Sequence, residues 1–264
     1  MKKNIGLIIS LFLVSFTPLT YALDWSKTEL HLANGKIETP QFLGGGSAST
    51  TVITLQHASG WKYGDNFFFI DYLDSSENKG FNDNDYYGEV YLNFSLNKIM
   101  GFESGLSLIR DVGVVAGINM ARDAKVVKYL PGIRLSWNLP GFAFLNSDFT
   151  AYLDNSKGAS GGGAPSENDS TMIDVNWAYP LSFGAHNFSI EGHIEYIGER
   201  VNEFGGKVSD WVLAQPQFRY DLGKTLFDVA DKFFVGIEYQ FWMNKLGDER
   251  TDENEVQVLF VLRI

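Results

Sequence analysis

Polar and apolar residues alternate one for one along most of this chain. In the stretch 51–74, Ile53 and Leu55 oppose Thr54 and Gln56. Past a turn bearing Gly and Asp, Phe68, Ile70 and Tyr72 then oppose Phe67, Phe69 and Asp71. A period of two marks a strand whose faces meet different environments. The same alternation sets Leu30 and Leu32 against Glu29 and His31 in 24–33, and Val90, Leu92 and Phe94 against Glu89, Tyr91 and Asn93 in 87–96. It recurs in 112–120, and in 127–138 and 142–154, where Ile133 and Leu135 oppose Arg134, and Phe149 and Leu153 oppose Asp148. Asp174 faces away from Ile173 and Val175, while Glu191, His193 and Glu195 face away from Ile190, Ile194 and Tyr196. Toward the end, Arg219 opposes Phe218 and Tyr220, Glu238 opposes Ile237 and Tyr239, and 255–264 puts Val256, Val258, Phe260, Leu262 and Ile264 on one face. The pattern predicts an all-β chain of about 12 strands, with no helix beyond a turn near 225–231.

Many of these strands run for roughly ten residues, the length that crosses a bilayer at a tilt. The connections 34–49, 75–85 and 155–170 are polar, whereas 139–141 is a short turn. Long loops at one end and short turns at the other are the outer-membrane barrel pattern, although 97–111 is long on the short side. The low-complexity stretch 155–170 reads as a flexible, exposed loop. Pro131 and Pro216 fall inside strands and predict a bulge or kink, because proline cannot donate to the ladder.

The first residues bear on compartment. Lys2 and Lys3 precede an apolar run from Ile5 to Phe16 and the small-residue ending at Ala22, which predicts a secretory signal at 1–22 ahead of a barrel at 23–264. The chain has no cysteine, so a disulfide framework and a lipidated cysteine are excluded. A net charge of −11 argues against nucleic acid as a partner.

Alternation alone fits either a soluble β protein or a membrane barrel turned inside out. Charges in the middle of the polar faces and continuous apolar faces favour a transmembrane antiparallel β-barrel. Aromatics near strand ends (Trp25, Trp61, Tyr63, Trp137, Trp177, Tyr179, Trp211, Tyr220, Trp242) read as an interfacial girdle.

The segments ASGWKYGDNFFF from Ala58, LPGIR from Leu130 and QPQFRYD from Gln215 resemble the Tsx-like family of nucleoside-specific channel-forming outer-membrane proteins, OmpK-type members included. The resemblance spans most of the chain after residue 22. It implies a twelve-stranded barrel with a narrow pore for nucleosides, and in some members a receptor for phages or colicins. Outer-membrane lipid and lipopolysaccharide are its implied surroundings, and no cofactor is expected.

On the inward face, Phe67, Phe69, Asp71, Glu89 and Tyr91 offer stacking surfaces and acceptors suited to a nucleoside, or they simply fill a narrow lumen. The pore-lining candidates also include Arg134, Asp148, Asp174, Glu191, His193, Glu195, Arg219 and Glu238. Of these, Arg134 and Arg219 are expected to pair with neighbouring acids. A net acidic lumen disfavours anionic nucleotides relative to neutral nucleosides. An enzyme is disfavoured. Ser189 and His193 lie roughly 13 Å apart along one strand, and Glu191-x-His193-x-Glu195 is a weak metal pattern. The competing reading is a largely closed barrel that acts as a structural protein or as a receptor through its loops.

Overall fold

The computed structural model describes residues 23–76, 83–103 and 105–264; the signal expected at 1–22 lies outside them. Twelve spanning strands follow one another in order. They are β1 (Trp25–Glu38), β2 (Ser47–Trp61), β3 (Gly64–Ser75), β4 (Asn84–Ser95), β5 (Ile109–Ala121) and β6 (Val126–Trp137). Next come β7 (Phe144–Asp154), β8 (Ser170–Phe183) and β9 (His186–Ile197), then β10 in two halves (Trp211–Ala214 and Gln217–Asp221), β11 (Phe233–Met243) and β12 (Glu253–Arg263). Each runs antiparallel to the next, and β12 returns to β1 with Glu29 opposite Arg263 and Leu32 opposite Phe260. The sheet is closed, so no spanning strand is left with an unpaired edge.

Side-chain exposure is inverted relative to a soluble protein. Leu30, Ile70, Ile133, Ile237 and Val258 are each more than 40% exposed, whereas Glu29, Asp148 and Arg219 are at most 3% exposed. Such an apolar exterior is stable in lipid, where the closed ladder satisfies every strand's backbone. Outward tyrosines (Tyr72, Tyr86, Tyr129, Tyr196, Tyr239) mark one end of the belt, and Tyr63 and Phe183 mark the other, whereas Trp25 shares the inward parity of its strand and lines the lumen. Trp211 and Trp242 do not join this girdle. They share the inward parity of their strands and meet inside the barrel, with ring centroids 6.2 Å apart.

Both described termini lie at the end that carries the turns 62–63, 138–143 and 184–185. The connections there after β4 and β10 hold the short helices α1 (Leu96–Met100) and α2 (Leu222–Phe227). Ser95 and Asp221 cap them by accepting from Lys98 N and Lys224 N. Helix α2 takes the place of the turn expected at 225–231. The opposite, extracellular end bears the loops 39–46, 155–169, 198–210 and 244–252, with a tight turn at 122–125. Half of the connection expected at 34–49 is strand, because β1 and β2 project past the lipid belt, where polar outward residues are stable.

The 155–170 stretch is not a loose loop. Asn168 N donates to Val201 O (2.9 Å), Glu203 N donates to Ser166 O (2.8 Å), and the Glu203 carboxylate accepts from Ala159 N (2.7 Å). This loop and 198–210 therefore fold as one unit, the latter closed by a short pairing of Arg200–Val201 with Lys207–Val208.

The prolines behave differently from each other. Pro131 sits opposite Ala116 with the β5–β6 register unbroken around it, and on the β7 side the pairing skips Leu130 and Pro131 without a change of register, so the expected bulge is absent. Pro216 does interrupt its strand. Opposite it on β9 lies Gly192, with φ +146°, where a Cβ would fall 2.4 Å from the Gln215 carbonyl oxygen. Glycine tolerates this backbone and this approach. Register is the same on both sides of the break, with Ala214 opposite Ile194 and Gln217 opposite Glu191.

Candidate functional site: the barrel lumen

One cavity of ≈ 2070 Å³ runs through the barrel, lined from Lys98 and Asn187 at the turn end to Asp83 and Asp123 at the loop end. All thirteen candidates named from the sequence line it: Phe67, Phe69, Asp71, Glu89, Tyr91, Arg134, Asp148, Asp174, Glu191, His193, Glu195, Arg219 and Glu238. Strand parity alone brings them together, since every second residue of each strand points inward.

Near the turn end the lumen wall is a lattice of ion pairs. Arg134 makes a bidentate contact with Asp148 (2.7 and 2.6 Å) and also reaches Asp65 (2.9 Å). Around the barrel, Glu29 accepts from His31 (2.8 Å), Arg219 (3.1 Å) and Arg263 (2.7 Å). Arg219 also faces Glu191 at 3.2 Å, and Arg263 bonds Asp231. Both arginines expected to pair with acids do so. Charges this far from bulk water require such partners.

The middle of the lumen is different. Phe67, Phe69 and Tyr87 form a continuous aromatic strip, with centroids 6.0 and 5.9 Å apart. Asp71 accepts from Thr54 (2.5 Å), Glu89 from Tyr87 (2.5 Å), and Glu238 from Gln217 (2.5 Å) and Gln257 (3.2 Å). His193 bridges Asp174 (3.1 Å) and Gln215 (2.9 Å). Glu195 lies 3.5 Å from the Trp211 indole nitrogen. Among the described residues, Asp71, Glu89, Glu195 and Glu238 have neutral hydrogen-bond partners and no lysine or arginine within ion-pair distance. Glu191, His193 and Glu195 thus look to separate partners, and no group of three metal-ligating side chains occurs among the described residues.

Toward the loop end the wall becomes cationic and aromatic. Lys128 pairs with Asp154 (3.2 Å) and Glu167 (2.8 Å), and Arg200 pairs with Glu167 (2.9 Å). The Arg200 guanidinium lies over Trp211 (4.3 Å), and Lys245 bonds Glu253 (2.6 Å) beside Trp242. Tyr91 belongs to a packed cluster with Val115, Leu130, Tyr152, Met172, Ile197 and Trp211, against which Phe67 also rests.

Sequence reasoning passed over Glu29, His31, Tyr87, Lys128, Gln240, Lys245, Gln257 and Arg263, all of which line the lumen. The signal was present for the strand members, since each has inward parity on an alternating strand.

Outside the spanning strands, Asp248 ties the loop 244–252 to the loop 39–46. Its carboxylate accepts from Gln41 N (2.7 Å) and Thr251 Oγ1 (2.9 Å). Burial pushes its pKa up, but hydrogen bonds from Arg250, Thr251 and the backbone outweigh this and hold it at about 2, against 3.8 normally. A folded value below the unfolded one contributes stability above about pH 4, and that contribution is lost as pH falls toward 2. Protease cleavage of these loops should rise over that interval and should rise less in D248N, which has already lost the carboxylate; an unchanged pH response in D248N would refute the tie.

No protein-family model and no curated protein sequence matches the chain. Among solved structures, the barrel is similar to the KdgM porin, at 9% identity and a TM-score of 0.47 over 89% of this chain and 98% of that one. It is also similar to the NanC porin, at 13% identity and a TM-score of 0.49 over 88% and 97%. An outer-membrane channel from Pseudomonas putida F1 is similar at 9% identity and a TM-score of 0.48 over 94% and 99%. The closed ladder, the apolar exterior and the charged interior make this chain a twelve-stranded outer-membrane β-barrel with a polar lumen.

Proposed function

We propose that the barrel is a passive outer-membrane channel for small solutes, with nucleosides the class that its middle fits best. The observation that carries this reading is the end-to-end cavity whose middle sets an aromatic strip beside carboxylates free of lysine and arginine. A base can stack on Phe69 and Tyr87, while Asp71 and Glu89 accept from hydroxyl and amine donors. Phe67 contributes less, because it also packs against the Tyr91 cluster. The unpaired carboxylates disfavour anionic nucleotides. Conduction requires that such a site bind weakly enough to release its solute, and no energy source or cofactor enters.

In planar bilayers, adenosine should reduce the ion conductance of the purified barrel. In F69A the half-blocking concentration should rise about 5- to 160-fold, the equivalent of ~1–3 kcal/mol of stacking. Conductance indifferent to nucleosides would remove the nucleoside reading. The complete absence of conductance would favour the closed receptor instead, for which the jointly folded loops 155–169 and 198–210 offer a fixed outer surface.

A further inference from the structure

The lipid-facing side of the barrel carries a second cavity, a groove of ≈ 550 Å³ at the extracellular rim of β3–β6. Its floor is one row across four strands, Ile70, Gly88, Met120 and Val127, each opposite the next in register. Gly88 has no side chain to fill the space between Ile70 and Met120, both of which are more than 40% exposed. A shallow apolar trough results.

The upper rim of the trough is basic. Arg122, Lys125 and Lys157 line it together with Tyr86 and Asn155. The Arg122 guanidinium lies over the Tyr86 ring (4.8 Å), donates to Asp123 (2.7 Å) and lies 3.7 Å from Asp85, so two carboxylates offset its charge. The Lys125 ammonium donates only to the Gly161 carbonyl (3.0 Å) among the described residues. Lys157 has no carboxylate within ion-pair distance among them, and the packing of its stem against Gly161 brings the two lysines to the same short stretch of loop. On the same end of the barrel, Lys207 pairs with Glu249 and Arg250 with Asp248, so their charges are already met. In a chain of net charge −11, this is a local excess of cation placed directly above an apolar trough.

We propose that this groove binds a phosphorylated glycolipid of the outer leaflet, lipopolysaccharide, with an acyl chain along Ile70–Gly88–Met120–Val127 and a phosphate at Lys125 and Lys157. The height of the lysines, just beyond the tyrosine ring, matches the depth at which a headgroup phosphate meets its acyl chains. Ammonium groups near an anionic lipid surface attract it, and the trough adds apolar contact that a soluble anion would not use. The groove lies on the outside of the wall, so its occupant is independent of what the lumen carries.

The test uses the folded full barrel in detergent and native mass spectrometry with bisphosphorylated lipid A, its dephosphorylated form and phosphatidylglycerol. Wild type should bind bisphosphorylated lipid A about tenfold or more tightly than either of the other two, as two unpaired ammonium groups would provide. That preference should vanish in the double variant K125E/K157E and persist in K125R/K157R, with all three chains migrating as folded barrels before heating. Equal binding of the dephosphorylated lipid or of phosphatidylglycerol by wild type would overturn the proposal, as would an undiminished preference in K125E/K157E.

Discussion

Replacing Arg134 with methionine should destabilise the folded barrel by about 3–5 kcal/mol, the range for removing one partner of a buried ion pair. The side chain is 7% exposed and Asp148 is 3% exposed, so the abandoned carboxylate has little access to water. Asp65 keeps a bond from Asn93 (2.8 Å), but Asp148 loses both of its guanidinium contacts. The pair itself need not be stabilising relative to an apolar one of similar volume. The double variant R134M/D148L should therefore recover much of the loss. Urea-induced unfolding from lipid vesicles would measure both. If R134M unfolds at the same urea concentration as wild type, the lattice near the turn end contributes nothing measurable to stability.

The second large effect lies on the other face. Ile237 sits midway along β11, 46% exposed, between Phe218 and Val258 on the neighbouring strands. Arginine there would place a charge against acyl chains, at a cost of about 2–4 kcal/mol near the bilayer midplane. I237R should fold less completely into vesicles, whereas I237L should behave as wild type. Equal folding yields for I237R and wild type would mean that this face does not meet lipid, and the barrel's orientation in space would have to be reconsidered.

Alternation made the faces legible from the chain alone. Phe67, Phe69 and Asp71 were assigned to a common wall by parity, and parity is enforced by the pleat wherever one side meets lipid. The same rule also placed Glu191, His193 and Glu195 together. It could not say that these three would turn to different partners, because that depends on which residues of β8, β10 and the loops stand opposite. Trp211 shows the limit of reading by residue type: tryptophan at a strand end suggested an interfacial girdle, yet parity put it inside, under Arg200. The Gly- and Ser-rich run at 155–170 read as loose because composition reports local preference. What orders it is the Glu203 carboxylate, 44 residues from Ala159 in sequence. Pro131 and Pro216 look alike in sequence, yet β6 runs on as one strand through the first, while β10 is divided at the second, where Gly192 lies opposite.

The Glu29 hub joins the first strand to the last. Its partner Arg263 lies 234 residues away and reaches Glu29 only when β12 lies against β1. Zipping the seam and neutralising this carboxylate are therefore one event. Before it, Glu29 would have only His31 beside it on its own strand, because Arg219 on β10 also lies beyond the seam, and the inner wall would be left short of positive charge where the cylinder is still open. The hub acts as a latch that engages last, so an incompletely inserted chain is penalised until its final strand arrives.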